Sequence, residues 1–214
     1  MVIFDWDGTL CDSVEQIVRS VQGVARQMDL PVPSHAEAAN IIGLSLHRAM
    51  EVLFPEVPPA RLQALITGYS KHYVASEEAP PNLFPGALET LLTLKDRGFE
   101  LAVATGKSRR GLDRVLGVLG LEDLFDATRC ADETTSKPDP LMLQELMNER
   151  AITPERVLMV GDTEYDLEMA VNAGVASVGV SFGVHSIERL AGHGPIAIVD
   201  ELPQLLELPQ LAGR

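Results

Sequence analysis

The sequence is short of cysteine, of positive charge and of long apolar runs, and each shortage excludes something. Its two cysteines, Cys11 and Cys130, lie far apart and form no C-x-x-C pair. Unpaired thiols in a reduced compartment are expected, rather than a disulfide framework or a thiolate metal site. Basic residues number 17 against 31 acidic ones, a formal net charge of −14. Such a surface repels nucleic acid and anionic membrane, so neither is an expected partner. It repels phosphorylated substrates as well, so any phosphate site has to be locally positive. No apolar run reaches the ~18 residues of a membrane helix. No secretory leader pattern precedes the first apolar stretch, and the expected location is cytoplasmic. Internal repeats and low-complexity tracts are missing too.

What is present is enough apolar material for a sizeable core: 46% hydrophobic residues against 22% charged ones. A length of 214 residues suits one core domain carrying a smaller unit. The run Val2–Phe4 ends at Asp5, and similar runs recur at 101–104, 157–160, 176–180 and 196–199, with a further strand expected around 125–130. Most are followed by Gly, Asp or Thr, and amphipathic helical segments separate most of them. Continuous apolar strands alternating with helices predict an α/β fold: a Rossmann-like parallel sheet with helices on both faces. Helix signals support this reading. Asp139 is placed as an N-cap before Pro140, Thr163 caps a helix beginning with Glu164 and Asp166, and Gly174 suits its end.

Residues 13–81 interrupt the alternation. Val14, Ile17, Val18, Val21, Ala25 and Met28 share one helical face. Pro31 and Pro33 end that helix, and Ser34 can cap the next. Pro58 and Pro59 open a helix carrying Leu62, Leu65, Ile66, Tyr69 and Tyr73 at helical spacing. The block reads as a small α-helical cap domain, 13–81, inserted into a core domain made of 1–12 and 82–214. Glu78-Ala79-Pro80-Pro81-Asn82 is its expected return linker, and Phe84-Pro85-Gly86 the expected hinge region. With only four residues before Asp5, the natural start is expected upstream of Met1.

Chemistry concentrates at strand ends. In Asp5-Trp6-Asp7-Gly8-Thr9-Leu10, side chains two apart share a side of the extended chain, so both carboxylates can face one pocket. At ~5 Å and an effective dielectric of ~20 they repel by roughly 3 kcal/mol, which calls for a divalent cation or a shared proton. The rival reading, two loop aspartates solvating a strand end, is weakened by the apolar strand before them and Gly-Thr after them. Thr105-Gly106-Lys107-Ser108 follows the next core strand and opens a helix, an arrangement able to bind an anion but also an ordinary turn. Lys137, just ahead of Pro138-Asp139-Pro140, is either a solvated lysine or a counter-charge for phosphate. Asp162 ends a core strand, with Asp166 one helical turn on. Carboxylate oxygens in such small number suit Mg²⁺, whereas acids that merely complement a helix dipole would not require Asp162.

Taken in order, these motifs resemble the haloacid dehalogenase superfamily of aspartyl-nucleophile phosphatases, and within it the phosphoglycolate phosphatase-like group with a helical cap. The resemblance spans essentially the whole chain. It implies that Asp5 attacks phosphorus and that Asp7 protonates the leaving oxygen and then activates water. It implies Mg²⁺ held by the Asp5 side chain, the Asp7 backbone carbonyl and Asp162, with Asp166 orienting metal-bound water or Lys137. It further implies that Thr105, the Gly106 backbone and Lys137 bind the phosphoryl oxygens, so that a positive pocket sits in an acidic protein. The partner is then a small phosphorylated metabolite, phosphoglycolate or a sugar phosphate among them, and the protein a monomer or homodimer. Arg48, beyond the cap loop Ile42-Gly43-Leu44-Ser45-Leu46, is a candidate substrate contact or a helix-surface arginine. Arg109 and Arg110 are expected to be exposed helix residues, and His47, His72 and His185 structural or surface residues.

Two rivals use the same motifs: a phosphomutase of the β-phosphoglucomutase type, and a silent binding or regulatory protein. Dehalogenation uses no metal and does not need Asp7. Phosphonate hydrolysis implies alanine in place of Asp7 and a cap lysine, and Lys71 is the sole lysine between 13 and 81.

Overall fold

The computed structural model describes residues 1–75 and 81–212. The linker residues Glu78, Ala79 and Pro80 lie outside the described residues. Strand β1 (Val2–Phe4) is followed by four helices, α1 (Val14–Gln27), α2 (His35–Ala39), α3 (Leu46–Leu53) and α4 (Pro59–Ala75). Strands and helices then alternate: α5 (Ala87–Asp96), β2 (Leu101–Thr105), α6 (Arg109–Leu119), β3 (Ala127–Cys130), α7 (Leu141–Arg150), β4 (Leu158–Gly161), α8 (Glu164–Ala173), β5 (Ala176–Val180), α9 (Ile187–Ala191) and β6 (Ala197–Val199). The six strands form one sheet in the order β3-β2-β1-β4-β5-β6, with every pair parallel. This is the Rossmann-like α/β fold that the alternation predicts.

Strands β1, β2 and β4, inside the sheet, are buried along their whole length and almost wholly apolar because both faces are covered there, whereas edge strand β3 carries Thr128 and Arg129. Val2, Phe4, Val103, Val160 and Val178 pack on one face with Leu91, Leu94 and Leu112. Ile3, Ala102, Ala104 and Met159 pack on the other with Met142, Leu143, Leu146 and Met169. Alternate residues of one strand thus serve opposite layers, as the two-residue strand period requires.

Helices α1–α4 bury a core of their own, with Ile17, Val21, Val24, Ala38, Met50 and Leu65 at its centre. The expected face of α1 is apolar because its 3.6-residue period matches the contacts with α4. Ser34 caps α2 reciprocally: its hydroxyl accepts from the Glu37 N–H at 3.2 Å, and its own N–H donates to Glu37 Oε2 at 2.8 Å. Elsewhere α7 begins one residue later than the Asp-Pro signal predicts. Pro140 occupies the cap position, and Asp139 Oδ1 accepts the Leu141 N–H at 2.9 Å. Gly174 closes α8 in the left-handed conformation at φ 70°.

Candidate active site

Strand order fixes where a ligand can bind. β1 lies between β2 and β4, and the register pairs Phe4 with both Val103 and Val160. The chain therefore leaves the sheet within one residue of the same level at Asp5, at Thr105 and at Gly161-Asp162. The order reverses at β1, and the crevice beyond such a switch point is the usual ligand position in doubly wound sheets. Lys137, in the segment between β3 and α7, enters the same crevice.

Asp5 and Lys137 form the buried centre of this crevice. Lys137 Nζ donates to Asp5 Oδ1 at 2.7 Å and to Asp166 Oδ1 at 2.6 Å, all three side chains at most 1% exposed. Asp166 is held in turn by Thr163, whose backbone N–H and hydroxyl donate to its Oδ2 at 3.1 and 2.7 Å. Asp162 accepts the Thr9 hydroxyl on Oδ1 at 2.8 Å and the Val184 N–H on Oδ2 at 2.9 Å. Gly8 permits this approach. Its φ is 87°, and a Cβ there would stand 2.2 Å from Asp162 Oδ2.

The electrostatics of this centre are unbalanced. Asp5, Asp162 and Asp166 each bring one carboxylate oxygen within 4.8 Å of the others, all three buried. A single ammonium, Lys137, sits among them. Burial, against the pull of Lys137 and with the push of Asp166 and Asp162, holds the Asp5 carboxyl well above its ordinary pKa. Burial, with Asp166, pushes Asp162 up to about 7. For Lys137 the order reverses: burial alone would lower its pKa, but Asp166 and Asp5 outweigh burial and raise it. Asp5 Oδ2 is buried without a hydrogen-bond partner, a costly condition for a carboxylate oxygen. Hard oxygen donors, surplus negative charge and an orphaned oxygen together fit a divalent cation. Of the six oxygens on these three carboxylates, Asp5 Oδ2 alone has no hydrogen bond, since both oxygens of Asp162 and both of Asp166 are engaged.

Asp7 faces a different neighbour. Its Oδ1 lies 2.9 Å from Lys107 Nζ and accepts the Ser13 hydroxyl at 2.6 Å. Trp6, between the two aspartates, is buried and meets Phe125 edge-on with ring centroids 6.3 Å apart. Lys107 is the residue that the motifs leave unassigned, although it stands in the Thr105–Ser108 turn. Its partner becomes visible only when the turn after β2 is set beside the turn after β1. Thr105 is buried, and its hydroxyl oxygen accepts the Lys107 N–H at 3.2 Å. Gly106 lies against the helical unit so closely that a Cβ would stand 2.4 Å from the Leu44 carbonyl oxygen.

Above these groups lies a cavity of about 740 Å³ reached by Asp5, Asp7, Gly106 and Lys107 from below and by Leu44 and Tyr73 from the helical unit. Arg48 is not brought to it. That side chain is 60% exposed on α3 and pairs with Glu51 at 3.4 Å. Arg109 faces Glu133 at 2.8 Å, whereas Arg110 is exposed at the cavity wall. Three histidines hold structural or surface positions. His47 is exposed, His72 meets Gln27 Oε1 at 2.8 Å, and buried His185 accepts the Glu164 N–H on Nδ1 at 2.9 Å.

Relatives share this arrangement of chain and fold. A protein of Dickeya dadantii called Probable phosphatase IndB is 34% identical over 96% of this chain and 91% of its own length. The phosphoglycolate phosphatase of Vibrio cholerae is 30% identical over 97% of this chain and 96% of its own. The crystal structure of a haloacid dehalogenase-like hydrolase from Bacteroides fragilis superposes with a TM-score of 0.89 at 28% identity, covering 95% of this chain and 98% of that one. No helix among the described residues is long and apolar enough to cross a membrane. The sequence pattern of the haloacid dehalogenase-like hydrolases matches residues 2–180, and with strand-end carboxylates gathered at the switch point of its sheet, the chain belongs to that family of enzymes.

Proposed function

We propose that the chain is a Mg²⁺-dependent phosphatase of small phosphomonoesters that works through a phosphoryl group carried on Asp5. The observation that carries this reading is Asp5 Oδ2, buried and without a partner while the other oxygen is fixed by Lys137. A buried carboxylate with one oxygen beside an ammonium and the other unpartnered suits a group that both meets phosphorus and helps to hold a cation.

In the first half-reaction Asp5 forms a bond to phosphorus as the ester P–O bond breaks, and Asp7 gives a proton to the leaving oxygen. In the second, water attacks phosphorus, Asp7 takes its proton, and Asp5 is released with inorganic phosphate. Lys137, the Thr105 hydroxyl and the Gly106 N–H hold the phosphoryl oxygens; the Thr105 hydroxyl keeps its proton for donation because its oxygen already accepts from Lys107. Asp5, Asp162 and the Asp7 carbonyl would hold Mg²⁺, with Asp166 behind Lys137. When bound, the ion supplies charge neutralisation and orientation of the phosphoryl oxygens. Residues 13–81 act as a cap domain closing over a core of 1–12 and 82–214, excluding water and selecting the leaving group. The separate core of α1–α4 supports that division.

The similarity to the Vibrio cholerae enzyme supports phosphoglycolate as a substrate to test. A cavity of about 740 Å³ also admits larger esters such as sugar phosphates. Phosphate release from a panel of monoesters, with and without a chelator, tests the reading. Asp5→Asn is expected to abolish release and to remove a phosphoryl adduct trapped by acid quench. Turnover surviving that substitution would remove Asp5 as nucleophile.

A further inference from the structure

Lys107 is the second lysine at the carboxyl edge of the sheet, and its environment differs from that of an exposed side chain. Its Nζ stands 2.9 Å from Asp7 Oδ1, with the two side chains 11% and 10% exposed. The same nitrogen lies 3.4 Å from the Tyr73 hydroxyl and 4.9 Å from the centroid of the Tyr73 ring. Tyr73 belongs to α4 of the helical unit, Lys107 to the turn after β2, and Asp7 to the turn after β1. One ammonium therefore joins three separate pieces of chain at the floor of the cavity.

The geometry at Asp7 is selective. Ser13 and Lys107 both act on Oδ1. Among the described residues no other group hydrogen-bonds the Asp7 side chain. Two donors on one oxygen fix the rotation of a carboxylate and leave its second oxygen to act on a ligand. Ser13 immediately precedes α1, so both anchors of Asp7 are also attached to, or in contact with, the helical unit.

We infer that Lys107 is a positioning residue for Asp7: it orients the carboxylate toward the leaving oxygen and, through Tyr73, makes that orientation depend on where the helical unit sits. The inference rests on the proposed role of Asp7 as proton donor. It assigns Lys107 a place in the reaction without contact with the transferred phosphoryl group. A cap that swings away takes Tyr73 with it and loosens Lys107. Asp7 is then set for proton transfer only when the cavity is closed, which discourages unproductive use of water.

The test is the dependence on leaving group. p-Nitrophenyl phosphate releases a stable phenolate that needs no proton, whereas 2-phenylethyl phosphate releases an alkoxide that does. Asp7→Asn serves as the reference and is expected to lose far more on the alkyl ester than on the aryl ester. Lys107→Met is expected to shift kcat/KM, which reports departure of the leaving group and not the later hydrolysis that both esters share, in the same sense, losing at least 10-fold more on the alkyl ester, with Lys107→Arg restoring part of the ratio. Tyr73→Phe, which keeps the ring and removes the hydroxyl, is expected to lower the ratio 2- to 5-fold and carries the test should Lys107→Met not fold. Equal losses on both esters in Lys107→Met, or an unchanged ratio in Tyr73→Phe, would overturn the inference while leaving the phosphatase reading intact. An Asp7→Asn variant without leaving-group selectivity removes the proton-donor role itself. A wild type inactive on both esters removes the phosphatase reading and the inference with it.

Discussion

Two Asp–Lys pairs whose aspartates stand two residues apart lie at the base of one cavity, lined there by Asp5, Asp7 and Lys107, yet they sit in different physical settings. Asp5 and Lys137 meet at 2.7 Å with side chains 1% and 0% exposed. Asp7 and Lys107 meet at 2.9 Å with side chains 10% and 11% exposed, in contact with Tyr73 of α4. The deep pair belongs wholly to the sheet's end and shares its ammonium with Asp166. The shallow pair spans the sheet and the inserted helices. The same two functional groups therefore give a fixed electrostatic centre in one place and a movable link in the other, because burial and the identity of the third partner differ. Charge in the deep centre cannot relax into solvent, so each substitution there acts on both chemistry and stability.

The largest effect is expected at the deep pair. Asp5→Asn removes the proposed nucleophile and is expected to lower kcat by at least about 10⁴-fold, read by phosphate release under saturating substrate. Lys137→Ala is expected to cost about 100-fold or more in kcat, because it removes a cation from the charge that develops on the phosphoryl oxygens. It is also expected to destabilise the fold by about 3–5 kcal/mol in denaturant titration, since it leaves buried carboxylates without their partner. Near-normal turnover in that variant would erase the distinction between the two pairs.

A smaller effect, confined to the deep centre, concerns protons and metal. Asp162, pushed up to about 7 by burial and by Asp166, binds more protons folded than unfolded between roughly pH 4 and pH 7. A raised carboxylate pKa contributes stability that is fully present below the unfolded value and is lost as pH rises through the folded one. Chelator-treated protein is therefore expected to lose thermal stability between about pH 4 and pH 7 at this site. Millimolar Mg²⁺ is expected to raise Tm most near neutral pH, where the carboxylates are ionised, because a ligand bound by the folded state alone stabilises it. A Tm indifferent to Mg²⁺ at every pH would count against these carboxylates as ligands.

The sequence makes the deep centre easier to read than the shallow one, for a physical reason. Asp5 and Asp162 each end a fully apolar run, and a parallel sheet brings strand ends together whatever the loops do. The register of Phe4 with Val160 then follows from pairing alone. What holds Asp162 in place is not visible in the chain. The Thr9 hydroxyl and the Val184 N–H reach it from turns whose paths depend on tertiary packing. Lys107 is hidden for the same reason, since nothing local distinguishes it from a solvated lysine beginning a helix. Even Lys137, though its position after β3 marks it as a candidate, has a burial that only the assembled sheet reveals. On α3 the sequence leaves the rotation undetermined. That helix has eight residues, and packing of Ala49 and Met50 turns Arg48 outward to Glu51.

This rotation makes the smallest and most discriminating prediction, because it separates two neighbours that the sequence presents together. Leu44 lies in the loop before α3 and lines the cavity, while Arg48 lies on the outer surface of the helix. Leu44→Ala removes apolar wall next to the leaving group. Selectivity between substrates differing by a methylene or two in such a wall is worth roughly 1–3 kcal/mol at most. It is expected to change the ranking of phosphomonoesters by kcat/KM by up to about 10-fold while sparing compact esters that never touch the wall. Arg48→Ala removes an exposed ion pair of a kind worth about 0–1 kcal/mol and is expected to leave both ranking and stability nearly unaltered. Should Arg48→Ala reorder the substrates and Leu44→Ala not, the helical unit must rotate α3 toward the cavity during turnover. The shallow side of the floor, with Tyr73 and Lys107, would then be the part of the site that moves with it.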